Sequence, residues 1–210
     1  MISNDKKSMR DQLLLKRYLD ATRSELFFSS AVIFVEGVAE QFIIPSIAKE
    51  VYGTNLTEQN ISVVPIHSRY FDPFLEMFQD GKLEIKACAI IDGDWNEVGD
   101  DEQTTSVKNA KSLEVKGRVN VFPGTYTLEV DLFPDNVTNN KILETCFVNL
   151  GHSKSFKNLM ATQANWTDEL LKRIDGTIKK GRFAQELSLN LSNKFIVPQY
   201  IKDALEFIIK

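Results

Sequence analysis

Two apolar runs that end abruptly in carboxylates constrain this chain more than any other feature. Residues 31–35 are followed at once by Glu36, Gly37 and then Glu40, and residues 86–91 by Asp92, Gly93 and Asp94. Continuous β-branched and aliphatic runs read as strands buried on both faces, as in a parallel sheet covered by helices. Ligand sites of such sheets lie beyond the carboxyl ends of the strands. Two strands ending this way can bring four acidic side chains to one point, where they repel and cannot all stay ionised unless cations sit among them. An all-oxygen donor set suits Mg²⁺, Mn²⁺ or Ca²⁺ rather than zinc.

The rest of the chain supplies the helices. The polar residues 1–8 read as a frayed start. Helical spacing over 9–27 puts Leu15, Leu19 and Leu26 on one face. This is either a surface helix or a link from an upstream domain. A helix over 38–52, ended by Gly53 and disturbed by Pro45, follows the first strand. Residues 61–66 read as the second strand, and Asp72-Pro73 as a helix start with Asp72 as N-cap. That helix ends near 79–81. The polar stretch 95–117, with Asp100, Asp101 and Glu102, reads as a long mobile loop. A fourth strand spans 119–122 and turns at Pro123-Gly124. After Pro134 the expectation is all helix: 140–150, 155–171, 177–190 and 199–209. Strands alternating with helices argue for an α/β fold.

A chain of 210 residues is one large domain, or a domain with an appendage. A net charge of −4 argues against nucleic-acid binding through bulk charge and leaves only a local basic patch for it. Two cysteines, Cys88 in a strand and Cys146 in a helix, fit a reduced, cytoplasmic setting. No signal peptide, membrane-spanning stretch or glycine-rich phosphate loop is expected.

Glu36 at a strand tip and Glu40 in the first helical turn can face one site, with Gly37 allowing a tight turn between them. Alone, Glu40 reads as a helix-capping acid. Asp92 and Asp94 can reach one cation; the rival readings are a polar turn and an EF-hand loop. The EF-hand fails because Glu97 and Gln103 stand where its glycine and bidentate Glu belong. Glu129 is either a further ligand or, with Thr127 and Asp131, part of a capped helix start carrying exposed acids. Lys179, Lys180 and Arg182 form a basic cluster that either steadies phosphate charge or is a solvated helix face. His67 and His152 have no zinc-like spacing and read as loop or surface residues.

The order Val35-Glu36-Gly37-x-x-Glu40, then Asp92-Gly93-Asp94, resembles the Toprim domain. Further stretches are similar to its overcoming-lysogenization-defect (OLD) branch: the entry from Leu19 to Phe28, Phe71-x-x-Phe74, Thr127-Leu128-Glu129, Lys180-Gly181-x-Phe183-Ala184 and Ile196-Val197-Pro198-x-Tyr200. His67 departs from the pattern, standing where a glycine is expected.

The resemblance implies a Rossmann-like, mainly parallel sheet flanked by helices, with a helical C-terminal extension. Its layout would be a linking helix over 1–28, a catalytic core over 29–135 and a helical part over 136–210 completing the nuclease domain. It implies a DNA endonuclease working with two Mg²⁺ or Mn²⁺ ions, for which Ca²⁺ can substitute in binding. The metal ligands would be Glu36, Glu40, Asp92, Asp94 and Glu129, with Thr127 helping through its hydroxyl. Glu36, Asp92, Asp94 and Lys180 would carry catalysis, Lys180 by offsetting charge on the transition state. Expected partners are DNA, an ATPase domain of a longer protein and further copies of the chain, but no membrane. Phage defence and DNA repair are the settings the family suggests. Two other readings stand beside this one: a metal-binding regulatory or assembly module, and another Toprim enzyme of primase or topoisomerase type.

Overall fold

In the computed structural model, Met9, Leu13 and residues 28–79, 82–94, 103–162 and 165–210 are described. Four strands, β1 (Ala31–Val35), β2 (Ile61–Pro65), β3 (Lys86–Ile91) and β4 (Val119–Pro123), form one sheet in the order β2-β1-β3-β4. Every pairing is parallel. The chain runs from β1 outward to β2, then crosses back to β3 on the other side of β1. The strand order therefore reverses between β1 and β3, where open sheets of this kind leave a crevice. Val35 pairs with Ile90, so Glu36 and Asp92 leave the sheet side by side at that reversal.

The strands are apolar throughout because both faces are covered. Ile33, Val35, Cys88 and Ile90 point into one cluster, and Val32, Phe34, Ala87, Ala89 and Ile91 into the other. Helix α1 (Val38–Glu50) packs in the first cluster. It runs unbroken through Pro45, whose missing N–H leaves a carbonyl at exposed Gln41. Gly53, at φ +66°, ends it, and the amides of Gly53 and Thr54 close back on the carbonyls of Lys49 and Ala48. The second cluster is closed by α2 (Asp72–Leu75), the 3₁₀ turn Glu76–Phe78 and α3 (Thr105–Lys111).

After β4 come α4 (Leu128–Leu132), α5 (Asn140–Asn149), α6 (Ser153–Met160), α7 (Trp166–Leu171), a π-helical stretch (Lys172–Ile178), α8 (Lys180–Asn190) and α9 (Gln199–Ile209). Helix α8 lies against α1, and α9 against β3 and β4. The C-terminal helices thus share the core of the sheet, with Phe183, Leu187, Ile201 and Leu205 fully buried in it.

Several expectations need correction. Phe71 occupies the N-cap position of α2, so Asp72 is already the first helical residue. The stretch 95–117 is not all loop. Thr104 caps α3 through a hydrogen bond from Val107 N–H, and Val107 and Ala110 anchor that helix; residues 95–102 lie outside the described set. The single helix expected over 155–171 is two, because Asn165 takes the left-handed conformation at φ +59°. The helix expected from 177 begins at Lys180, after the π-helical stretch and a left-handed Lys179 at φ +81°. Of the helix expected over 9–27, only Met9 and Leu13 fall among the described residues, and both are helical.

Candidate metal centre

The crevice between β1 and β3 opens into a cleft of about 340 Å³. Glu36, Glu40, Asp92 and Glu129 line it, with His67, Arg69 and Lys180 at its rim. Glu36 leaves β1 directly and Asp92 leaves β3 directly, so two adjacent strands deliver them. Glu40 comes from the first turn of α1 and Glu129 from the first turn of α4. Lys180 comes from the start of α8, held there by the packing of α8 on α1.

Each carboxylate meets a protein donor. Glu36 Oε1 accepts the Asp92 N–H at 3.0 Å, and Asp92 Oδ1 accepts the Leu128 N–H at 3.0 Å. Glu40 Oε2 reaches back to the Gly37 N–H at 3.1 Å, an N-terminal cap on α1. Gly37 itself is extended, at φ −149°, so the turn after β1 does not need a glycine's freedom. Glu129 Oε2 lies 3.1 Å from Lys180 Nζ. Asp94, buried and left-handed at φ +49°, does not line the cleft. Its Oδ2 sits 3.1 Å from Arg69 Nη1. Among the described residues, no three His, Cys, Asp or Glu side chains stand at the spacing of a single metal shell.

The electrostatics nonetheless tie the acids together. Burial first, then the charges of Glu40 and Asp94, push Glu36 up to about 7. Burial and the Glu129 charge raise Glu40. Asp92 is held far above the usual carboxylate range by burial and then by Glu36, Glu40 and Glu129. Burial alone would lower the Lys180 ammonium, but Glu129, Asp175 and Asp92 outweigh it and hold it raised. Fully ionised, the cluster would carry more negative charge than its own cations neutralise, the condition that a divalent ion relieves.

The donor set fits a hard cation. It is all oxygen; the buried Thr127 Oγ1 makes no hydrogen bond, and the buried Glu129 Oε2 meets only the Lys180 ammonium. Thr127 occupies the N-cap position of α4, yet its hydroxyl caps nothing. The Leu128 amide bonds Asp92 instead.

Sequence reasoning missed Arg69, because a single arginine in a loop has no pattern. It also treated Asp131 as an exposed acid. Asp131 is half-buried and accepts the amides of Thr125 and Tyr126 and the Tyr200 hydroxyl. Burial raises it to about 6 against those bonds. His67 stands where a glycine was expected and is left-handed at φ +53°, the conformation glycine adopts freely. His152 lies far along the chain, at the start of α6.

No curated protein matches the chain. Residues 27–94, spanning both acidic strand ends, match the model of the overcoming lysogenization defect protein-like TOPRIM domain. The fold is similar to the C-terminal region of the Burkholderia pseudomallei OLD protein, with TM-score 0.68, 27% identity and coverage of 87% of this chain and 98% of that one. It is also similar to the C-terminal region of the Xanthomonas campestris pv. campestris OLD protein, with TM-score 0.65, 27% identity and coverage of 87% and 96%. Both neighbours extend well past the matched segment into the helices after β4. Residues 27–94 therefore match an OLD-like Toprim domain, and with the helices that follow the chain has the Toprim fold seen in the OLD C-terminal regions.

Proposed function

We propose that this chain is the nuclease part of an OLD-type protein, a metal-dependent endonuclease that hydrolyses DNA phosphodiester bonds. The observation that carries the reading is the cluster of Glu36, Glu40, Asp92 and Glu129 at the strand reversal beside Lys180, in which burial and neighbouring charge raise the Glu36, Glu40 and Asp92 carboxyls. Glu36, Glu40, Asp92, Asp94 and Glu129 hold two Mg²⁺ or Mn²⁺ ions, and Thr127 adds its unbonded hydroxyl. Such ions supply Lewis acidity to the attacking water and the departing oxygen. Holding them would require Asp94 to turn from Arg69 and Glu129 from Lys180, while Glu36 and Asp92 each keep one oxygen on a backbone amide. Lys180, released from Glu129, then offers its ammonium to the negative charge that grows on the phosphate. Arg69, released from Asp94, adds a second cation at the rim. Residues 29–135 form the catalytic core, 136–210 complete it, and 1–28 link it to an ATPase domain of a longer cytoplasmic protein.

The test is incubation of supercoiled plasmid with the chain in Mg²⁺, Mn²⁺ or excess EDTA, beside an Asp92→Asn, Asp94→Asn double variant. Metal-dependent nicking or linearisation that the folded variant loses is the expected result. A wild-type protein that binds metal and cleaves nothing, alone or in the full-length protein, overturns the endonuclease reading in favour of a metal-binding module.

A further inference from the structure

We propose that Tyr200 and Asp131, which the cleft does not touch, are positioning residues for the Asp92 and Asp94 carboxylates. They tie the aspartate loop to the C-terminal helix α9. The proposal rests on the reading that these carboxylates hold divalent ions.

Three layers of chain stack behind the cleft. The first is Asp92-Gly93-Asp94. The second is the turn 124–126 after β4. Its Tyr126 carbonyl accepts the amides of Gly93 at 2.9 Å and Asp94 at 3.2 Å, and its Gly124 amide donates to the Ile91 carbonyl at 2.8 Å. The third is Asp131 with Tyr200. Asp131 Oδ2 accepts the Thr125 N–H at 2.8 Å, Oδ1 accepts the Tyr126 N–H at 3.1 Å, and the Tyr200 hydroxyl donates to the same carboxylate. Every layer therefore bonds the next.

The packing leaves no slack. A methyl group on Gly93 would lie 2.2 Å from the Gly124 carbonyl oxygen. One on Gly124 would lie 2.5 Å from Asp131 Oδ2 and 3.2 Å from the Tyr200 ring. Two glycines thus let the layers approach to backbone contact. The turn leads directly to Leu128, whose amide holds Asp92 Oδ1. A shift of the turn moves Asp92 through Leu128 and moves Asp94 through Tyr126. Asp131 fixes the turn, and Tyr200 fixes Asp131 from α9. Outer hydrogen bonds of this kind orient metal ligands, and losing one typically weakens metal affinity by about 10- to 100-fold.

Tyr200→Phe removes one hydroxyl and no charge, so it isolates the brace. Mn²⁺ binding to the full chain, read from the paramagnetic resonance of free Mn²⁺, should weaken by about 10-fold in Tyr200→Phe. Amide hydrogen exchange of the metal-free protein should quicken at Gly93, Asp94, Thr125 and Tyr126 while staying as in wild type along β1 and α1. Asp131→Asn should give the same local exchange and a larger loss of Mn²⁺ affinity. Unchanged Mn²⁺ affinity in Tyr200→Phe overturns the brace while leaving the metal reading intact. So does exchange that quickens evenly over the whole chain, which marks ordinary loss of stability. A wild-type protein that binds no Mn²⁺ overturns the metal reading, and the brace falls with it.

Discussion

At Glu36, burial and neighbouring acids hold the carboxyl at about 7 against an ordinary 4.5. A folded value raised above the unfolded one means that stability is complete below pH 4.5, where both states are protonated, and is lost as pH rises toward 7. For this residue the loss is on the order of 3 kcal/mol. Urea unfolding of EDTA-treated protein should show a midpoint that falls between these pH values, and Glu36→Gln should flatten the fall. A wild-type midpoint that does not move with pH counts against it. Asp92→Asn removes one charge from the same repelling set. It should leave metal-free stability undiminished while cutting plasmid cleavage by at least about 100-fold. The cysteines make a contrasting case. Burial pushes Cys146 up to about 12 and Cys88 higher still. Neither should react with an aromatic disulfide reagent in the native protein at pH 8, and both should react in denaturant.

The elements behind the cleft are held by packing that single substitutions can test. Phe34 of β1 is fully buried, with its ring 5.8 Å from Phe74 and 5.9 Å from Phe78. Those rings fix α2 and the 3₁₀ turn, and with them the loop that carries His67 and Arg69. Phe34→Ala should cost about 3–5 kcal/mol by chemical denaturation. At His67 the strain is in the backbone, since a left-handed L-residue costs roughly 1–2 kcal/mol. His67→Gly should be tolerated with a stability change of at most about 1 kcal/mol, whereas His67→Val should destabilise visibly in a thermal melt. The start of α8 shows how sequence periodicity misleads. Ile174, Ile178 and Phe183 keep a helical apolar rhythm, but a π-helical stretch and the left-handed Lys179 interrupt it just before Lys180. Irregular helix of this kind is frequent at functional sites.

For the whole molecule, the proposed metal and DNA binding turn on charge. If the folded carboxylate cluster holds the ions as proposed and the unfolded chain does not, saturating Mn²⁺ should raise the melting temperature by several degrees near neutral pH, and EDTA should reverse it. With a net charge of −4, the proposed binding of DNA would rest on local cations such as Lys179, Lys180, Arg182 and Arg69 and on the metals the cleft would hold. Affinity measured in Ca²⁺, without cleavage, should fall at least about tenfold between roughly 50 and 200 mM salt. A flat response would count against a phosphate-backbone contact. Among the described residues, no helix is long and apolar enough to cross a membrane.

The amino-acid sequence determined whatever depends on local pattern. Short apolar runs rich in β-branched residues and bounded by turn residues fit buried parallel strands, so β1 and β3 were legible to the residue, as was α9 from its helical spacing. An acid directly after such a strand must stand at its carboxyl end, so Glu36 and Asp92 were legible as a pair. Tertiary structure decided the rest, because the relevant contacts join residues far apart in the chain. The strand order put the two acids at the crossover reversal. The pairing of Asp94 with Arg69 and of Glu129 with Lys180 followed from which loops and helices meet over the sheet. Asp131 meets the Thr125 and Tyr126 amides and, from the last helix, the Tyr200 hydroxyl. A carboxylate's partners are chosen by distance and burial, and neither quantity exists until the chain has folded.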